Sequence, residues 1–149
     1  MTDSAKWYYK GVEHILAGDA KWSAGNTNLY MALYTTFTPT QITDEILGTW
    51  GSTCTEVSGV GLGYTTSGQQ LTSVTAPSVY SSTNIILSSA TVTWPGPCTF
   101  TGVNGAVIYY AGTQNYVLGY IAWASPKAAQ GGAFSVPCPT AGWFEQQVS

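Results

Sequence analysis

Charge is what this chain has least of. Four basic and seven acidic residues among 149 make up 7% of the sequence, against roughly 25% in an ordinary soluble protein. Arginine is absent, and the cations are Lys6, Lys10, Lys21 and Lys127. Four scattered lysines do not form the basic stripe that phosphate neutralisation requires, so nucleic acid is not an expected partner. Histidine occurs once, at His14, and cysteine at Cys54, Cys98 and Cys138. That set contains no CxxC pair and no cluster with zinc spacing. Three cysteines also make a poor disulfide framework. No apolar run reaches the roughly 18 residues of a membrane helix. The opening Met1-Thr2-Asp3-Ser4-Ala5-Lys6-Trp7 has no apolar signal core, so synthesis in the cytoplasm without export is the expectation, with no membrane partner.

Hydroxyls, glycines and aromatics stand where charge is missing. Serine and threonine number 35, and 13% of the chain is aromatic. Threonine's branched Cβ suits a pleated surface. With 44% hydrophobic residues, the chain is not composed like a disordered one. A chain of this length buries roughly 68–70% of its unfolded surface. The fold expected is mainly β, a single-domain β-sandwich over residues 1–149 with an N-terminal α-helix. Residues 1–18 form its arm and helix and residues 137–149 its tail.

The spacing predicts a helix over Ser4–Ala17, capped by Asp3 or Ser4 and ended by Gly18. Tyr8, Val12, Ile15 and Leu16 make its apolar face, and Gly11 weakens it by roughly 1 kcal/mol. Leu29–Tyr34 is apolar at both alternations and reads as a strand buried on both faces. Thr43–Gly48 reads as a short helical turn, and residues 48–68, with six glycines, as mostly loop. Further strands are expected at Gln70–Thr75, Asn84–Leu87, Ala90–Trp94, Thr99–Thr101, Gly105–Ala111, Tyr116–Trp123 and Ala133–Val136. The pair around Gly112-Thr113-Gln114-Asn115 has hairpin spacing and belongs at the centre of a sheet. Trp143 and Phe144 then anchor the tail.

No reactive constellation emerges. His14 has no serine elbow to serve and reads as a structural or solvent-facing side chain. Asp44 and Glu45 are adjacent, so they point apart and suit a helix start better than paired-carboxylate hydrolysis. Glu56 is the only acid between Glu45 and Glu145, and its competing role is to accept hydrogen bonds from loop amides. Gly59-Val60-Gly61-Leu62-Gly63 lacks the spacing and the Lys-Ser/Thr ending of a phosphate loop. No catalytic residue, metal or cofactor is expected.

Three ordered stretches carry a family resemblance. Glu56-Val57-Ser58-Gly59-Val60-Gly61-Leu62-Gly63-Tyr64 is like an EVSGxGY signature with two residues inserted. Asn104-Gly105-Ala106-Val107-Ile108-Tyr109 is followed by Leu118-Gly119-Tyr120-Ile121. Gly132-Ala133-Phe134-Ser135-Val136-Pro137 runs on to Gly142-Trp143-Phe144. With Ile15-Leu16-Ala17-Gly18 and Leu29-Tyr30-Met31-Ala32-Leu33-Tyr34 before them, the order over most of the chain resembles small structural proteins of tailed-bacteriophage virions, chiefly capsid decoration (cement) proteins. Relatives carry an arginine before the second stretch, where Thr101-Gly102-Val103-Asn104 stands here, so a contact resting on that charge is not carried over.

The resemblance implies a non-enzymatic virion component, made in the host cytoplasm, whose partner is the major capsid protein. Symmetric capsid sites favour a homo-oligomer, a trimer or a dimer. Trp7 and Tyr8 of the arm and Trp143 and Phe144 of the tail are the expected interface residues, with core packing as their competing role. The alternative is a tail or head–tail module that binds a carbohydrate or receptor, for which the aromatics and the Gly112–Asn115 loop would serve. Long, weakly charged edge strands are expected to be covered by a neighbour.

Overall fold

The computed structural model describes residues 4–38, 54–58, 62–81 and 84–147. The described residues are mostly β, with one short helix near the N-terminus and two antiparallel sheets. The expected turn at Thr43–Gly48, with Asp44 and Glu45, lies outside the described residues.

The N-terminal segment differs from its sequence pattern. Ser4–Trp7 is a strand, β1, and the helix α1 runs only over Tyr9–Ala17. The reason is tertiary. β1 pairs with a later strand from Ser4↔Ala122 to Trp7↔Gly119, and Tyr8 N–H donates to Leu118 O at 3.0 Å. Those bonds hold Tyr8 extended, so it becomes the N-cap without a side-chain cap bond. Gly18 ends the helix in the left-handed conformation, as expected. The buried side of α1 is carried by Gly11 and His14, while Leu16 is 82% exposed. A Cβ on Gly11 would lie 2.6 Å from Leu118 Cα and from the carbonyl oxygens of Val117 and Leu118. The glycine that weakens the isolated helix is therefore what lets it lie directly on the sheet.

The large sheet is built on one hairpin. β2 spans Leu29–Phe37, β3 Cys54–Glu56 and β4 Gln69–Gln70, followed by β5 (Ser78–Ser81) and β6 (Asn84–Leu87). Two long strands follow, β7 (Val92–Ala111, 20 residues) and β8 (Asn115–Val136, 22 residues), and then β9 (Phe144–Gln147). The large sheet has the order β1-β8-β7-β2-β3 with β4 also on β2, and the small sheet the order β5-β6-β9. β3 lies within the stretch read as loop. The expected strand at Gln70–Thr75 reduces to β4, because Ser73 takes a positive φ of 49° and the chain turns away.

Five expected strands fuse into β7 and β8. The expected strands end at Trp94 and resume at Thr99, yet the ladder carries Pro95-Gly96-Pro97 as a bulge between Trp94↔Phe134 and Cys98↔Gly132. Gly96 has φ 84°, and a Cβ there would come within 2.8 Å of Gly132 O. Further register shifts follow at Phe100/Val103 and Val103/Gly105. These let a long hairpin bend while Trp94, Cys98, Phe100 and Val103 all stay buried.

Two cores result. Leu29, Met31, Leu33, Ile108, Leu118, Trp94 and Phe134 of the large sheet share one with Leu87, Trp143 and Phe144, which lie on or beside the small sheet. Tyr8, Ala32, Tyr34, Val107, Tyr109, Val117 and Tyr120 form a second on the opposite face. β2 is thus buried on both faces, as its double apolar alternation predicts.

Candidate functional site

Glu56, at the end of β3, accepts two hydrogen bonds on Oε1. Tyr64 donates its hydroxyl at 2.7 Å and Ser67 its backbone N–H at 2.6 Å. The Tyr64 hydroxyl oxygen accepts Leu33 N–H at 3.0 Å, while Tyr109 donates to Ser67 O at 2.7 Å. Burial first, and then the Glu56 charge, push the Tyr34 and Tyr64 phenols far above the ordinary tyrosine range. The same two causes push Tyr109 up to about 12. The phenols therefore stay protonated, and those of Tyr64 and Tyr109 act as hydrogen-bond donors. The cluster ties the Tyr64–Gly68 segment to β2. Among the described residues it offers one carboxylate, where acid–base hydrolysis of sugars needs two.

His14 faces inward. Its Nδ1 lies 3.1 Å from Asp19 Oδ2, and its ring stacks on Tyr116 with centroids 3.8 Å apart. It joins the end of α1 to the start of β8. All three cysteines are free thiols. Cys98 is buried with Sγ 3.6 Å from both Gly63 O and Trp94 O. Burial raises the half-buried Cys138 thiol above its usual range, which reduces its thiolate fraction. Of the glycine-rich stretch, residues 59–61 lie outside the described residues. Thr99 N–H donates to Leu62 O at 2.9 Å, and a Cβ on Gly63 would collide with Pro97 O at 2.2 Å. That part of the loop is packed against β7. Among the described residues no group of three or more His, Cys, Asp or Glu could hold a metal, and no helix is long and apolar enough to cross a membrane.

Three of the four aromatics expected at an interface lie in the chain's own interior. Trp7 is half-buried, with its ring 4.5 Å from that of Phe144. Tyr8 is fully buried, 5.2 Å from Tyr120. Trp143 and Phe144 are 1% and 2% exposed, and Trp143 Nε1 donates to Ser89 Oγ at 2.8 Å. The Trp7–Phe144 contact and the burial of Trp143 join the small sheet to the large one, while Tyr8 belongs to the core on the large sheet's opposite face.

The half of the hairpin remote from its turn has one exposed face. Thr93, Pro95, Thr99 and Thr101 of β7 and Gln130 and Ser135 of β8 are exposed on its outer face. Thr93 Oγ1 and Ser135 Oγ lie 2.9 Å apart across the ladder. On the inner side a cleft of about 440 Å³ opens between β8, Ala5 of β1 and the turn at Pro137–Pro139. Trp123, Phe134 and Trp143 wall it, and Lys127 is the one charged side chain lining it among the described residues. A smaller hollow of about 180 Å³ lies between α1 and Pro77, with Leu16 at its rim. Among the described residues β1 pairs with the outer edge of β8 from Gly119 to Ala122. That edge is interrupted by Pro126 and the positive-φ Gly131 and ends before Pro137. Prolines and bulges are devices that blunt strand edges against pairing.

These elements would have been hard to find by motif. What marked the outer face was the alternation Thr91-Val92-Thr93-Trp94, which reads as a half-exposed strand. The cleft joins residues from three separated segments, and no sequence spacing announces it. No family model, curated protein or solved structure matches the chain.

Proposed function

We propose that this chain is a non-enzymatic structural component of a bacteriophage particle, a decoration protein that binds the outside of the assembled capsid and reinforces it. The observation that carries the reading is the ordered resemblance of Glu56–Tyr64, Asn104–Ile121 and Gly132–Phe144 to small virion proteins. Two features of the molecule support it. The outer face of the Thr93–Thr101 and Gln130–Ser135 ribbon is uncharged and rich in hydroxyls. Glu56 and His14 are engaged in holding loops and helix in place.

Contact with capsid would bury that face. At ~25 cal/mol per Å², a few hundred Å² of apolar area per copy gives several kcal/mol before association costs. Repetition over symmetric sites multiplies it through avidity. A dimer or trimer fits such sites. The carbohydrate-binding alternative has less support: stacking on a sugar needs exposed rings, no described tryptophan side chain is exposed, and the large exposed ring among the described residues is Tyr9 on the helix.

The test is binding of purified protein to capsids that lack it, followed by heating of both particle types. Saturable binding and a higher disruption temperature support the reading. Absence of binding, with equal heat resistance, overturns it.

A further inference from the structure

Asn104-Gly105 is the single Asn-Gly dipeptide of the chain. Glycine after asparagine leaves the following amide nitrogen unshielded, which makes this pair the most prone to intramolecular attack. The Gly105 nitrogen adds to Asn104 Cγ, a C–N bond forms, and Nδ2 departs as ammonia carrying the proton of the Gly105 N–H. Water then opens the five-membered imide at either carbonyl. The products are aspartate and isoaspartate, with water as the only co-reactant.

The fold opposes each part of that step. Asn104 lies within β7, at the register shift between Val103↔Lys127 and Gly105↔Ala122. Its Nδ2 donates to Thr35 O, on β2, and to Gly102 O at 3.2 Å. Attack requires the side-chain amide to turn, which breaks both bonds. Gly105 is buried, paired with Tyr34 on one side and Ala122 on the other.

We propose that Asn104 is the spontaneous modification site of this protein and that the sheet keeps it closed, so that deamidation proceeds from opened molecules. The reaction is also a one-way lesion. A carboxylate at this position can only accept hydrogen bonds, and it would face two carbonyl oxygens that also only accept. The β2–β7 junction then loses the bond to Thr35, β7 loses the bond to Gly102, and both gain a repulsion, so a molecule modified while open closes less well.

The test follows the full chain at mildly alkaline pH and 37 °C, folded and in concentrated urea, by peptide mass mapping. The expected result is a gain of one mass unit at Asn104, at least about tenfold slower in the folded protein, because the rate follows the opened population. Equal rates in both states, or faster modification at Asn26, Asn28, Asn84 or Asn115, overturn the proposal. The variant Asn104→Asp supplies the second arm. A lowered urea midpoint or failure to fold supports the one-way lesion, and a wild-type midpoint contradicts it.

Discussion

The two halves of the β7–β8 hairpin are made by the same pair of strands and live in different surroundings. Next to the turn, Ala106, Val107, Ile108 and Tyr109 face Val117, Leu118 and Ile121, and each is buried whichever way its side chain points. There β2 lies on one flank and β1 on the other. In the remote half, Thr93, Thr99 and Thr101 are exposed while Trp94, Cys98 and Phe100 are buried. The difference shows that a strand's neighbours are written in its alternation. Where both alternations are apolar, the fold supplies cover on both faces. Where one is hydroxyl-bearing, that face is left outward. In a chain with 7% charged residues, threonine does the solvating that lysine and glutamate do elsewhere.

The largest expected effect comes from the rings that join the sheets. Trp143→Ala should cost about 3–5 kcal/mol, the range for emptying a buried aromatic site, measured by urea unfolding. A near-neutral result would mean that this ring is not part of the core and would return it to the surface role expected from sequence. Next is Glu56→Gln. It removes the charge from two hydrogen bonds that hold Tyr64 and Ser67, with an expected loss of about 1–3 kcal/mol. Protection of the Ser67 amide against hydrogen exchange should fall with it.

The buried tyrosines predict an alkaline limit. Their folded phenols hold protons above the ordinary value of about 10, which the unfolded chain keeps. Their contribution is full below that pH and is lost as pH rises through the folded values, the first being Tyr109 at about 12. Above pH 10 the unfolded state binds fewer protons, so stability falls by about 1.4 kcal/mol per pH unit for each such group. Unfolding midpoints across pH 9–12, read beside tyrosinate absorbance, check this. A flat profile would mean that Tyr34, Tyr64 and Tyr109 ionise in the folded protein as freely as in the unfolded one.

Much of the architecture was legible. Apolar runs at both alternations marked β2 as buried on both faces and placed the turn-proximal hairpin at the sheet centre, because burial on two faces leaves no room for polar side chains. The helix boundary was not legible. Tyr8 satisfies a helical period, but a backbone bond to Leu118 outweighs it, and such a bond has no signature in nearby sequence. Pro95-Gly96-Pro97 misled for a related reason. A bulge within a long strand uses the same residues as a loop, and only the partner strand distinguishes them. Trp7, Tyr8, Trp143 and Phe144 stood out as aromatics near chain ends, a position that marks docking of the ends as readily as docking of a partner. The cleft between β8 and Pro137–Pro139 was invisible, since its walls meet only after the sheets close.

The contrast between the halves rests most directly on four single variants measured by equilibrium unfolding. Val107→Ala and Ile108→Ala, neighbours on opposite faces near the turn, should both destabilise, by at least about 1.5 kcal/mol each from lost methyl burial and the cavity left. Phe100→Ala should cost about 3–5 kcal/mol, while its neighbour Thr99→Ala should stay within about 0.5 kcal/mol. That pattern is the account's prediction: two costly faces beside the turn, and one costly and one silent face away from it. A Thr99→Ala loss matching Phe100→Ala, or a silent Val107→Ala, would contradict it.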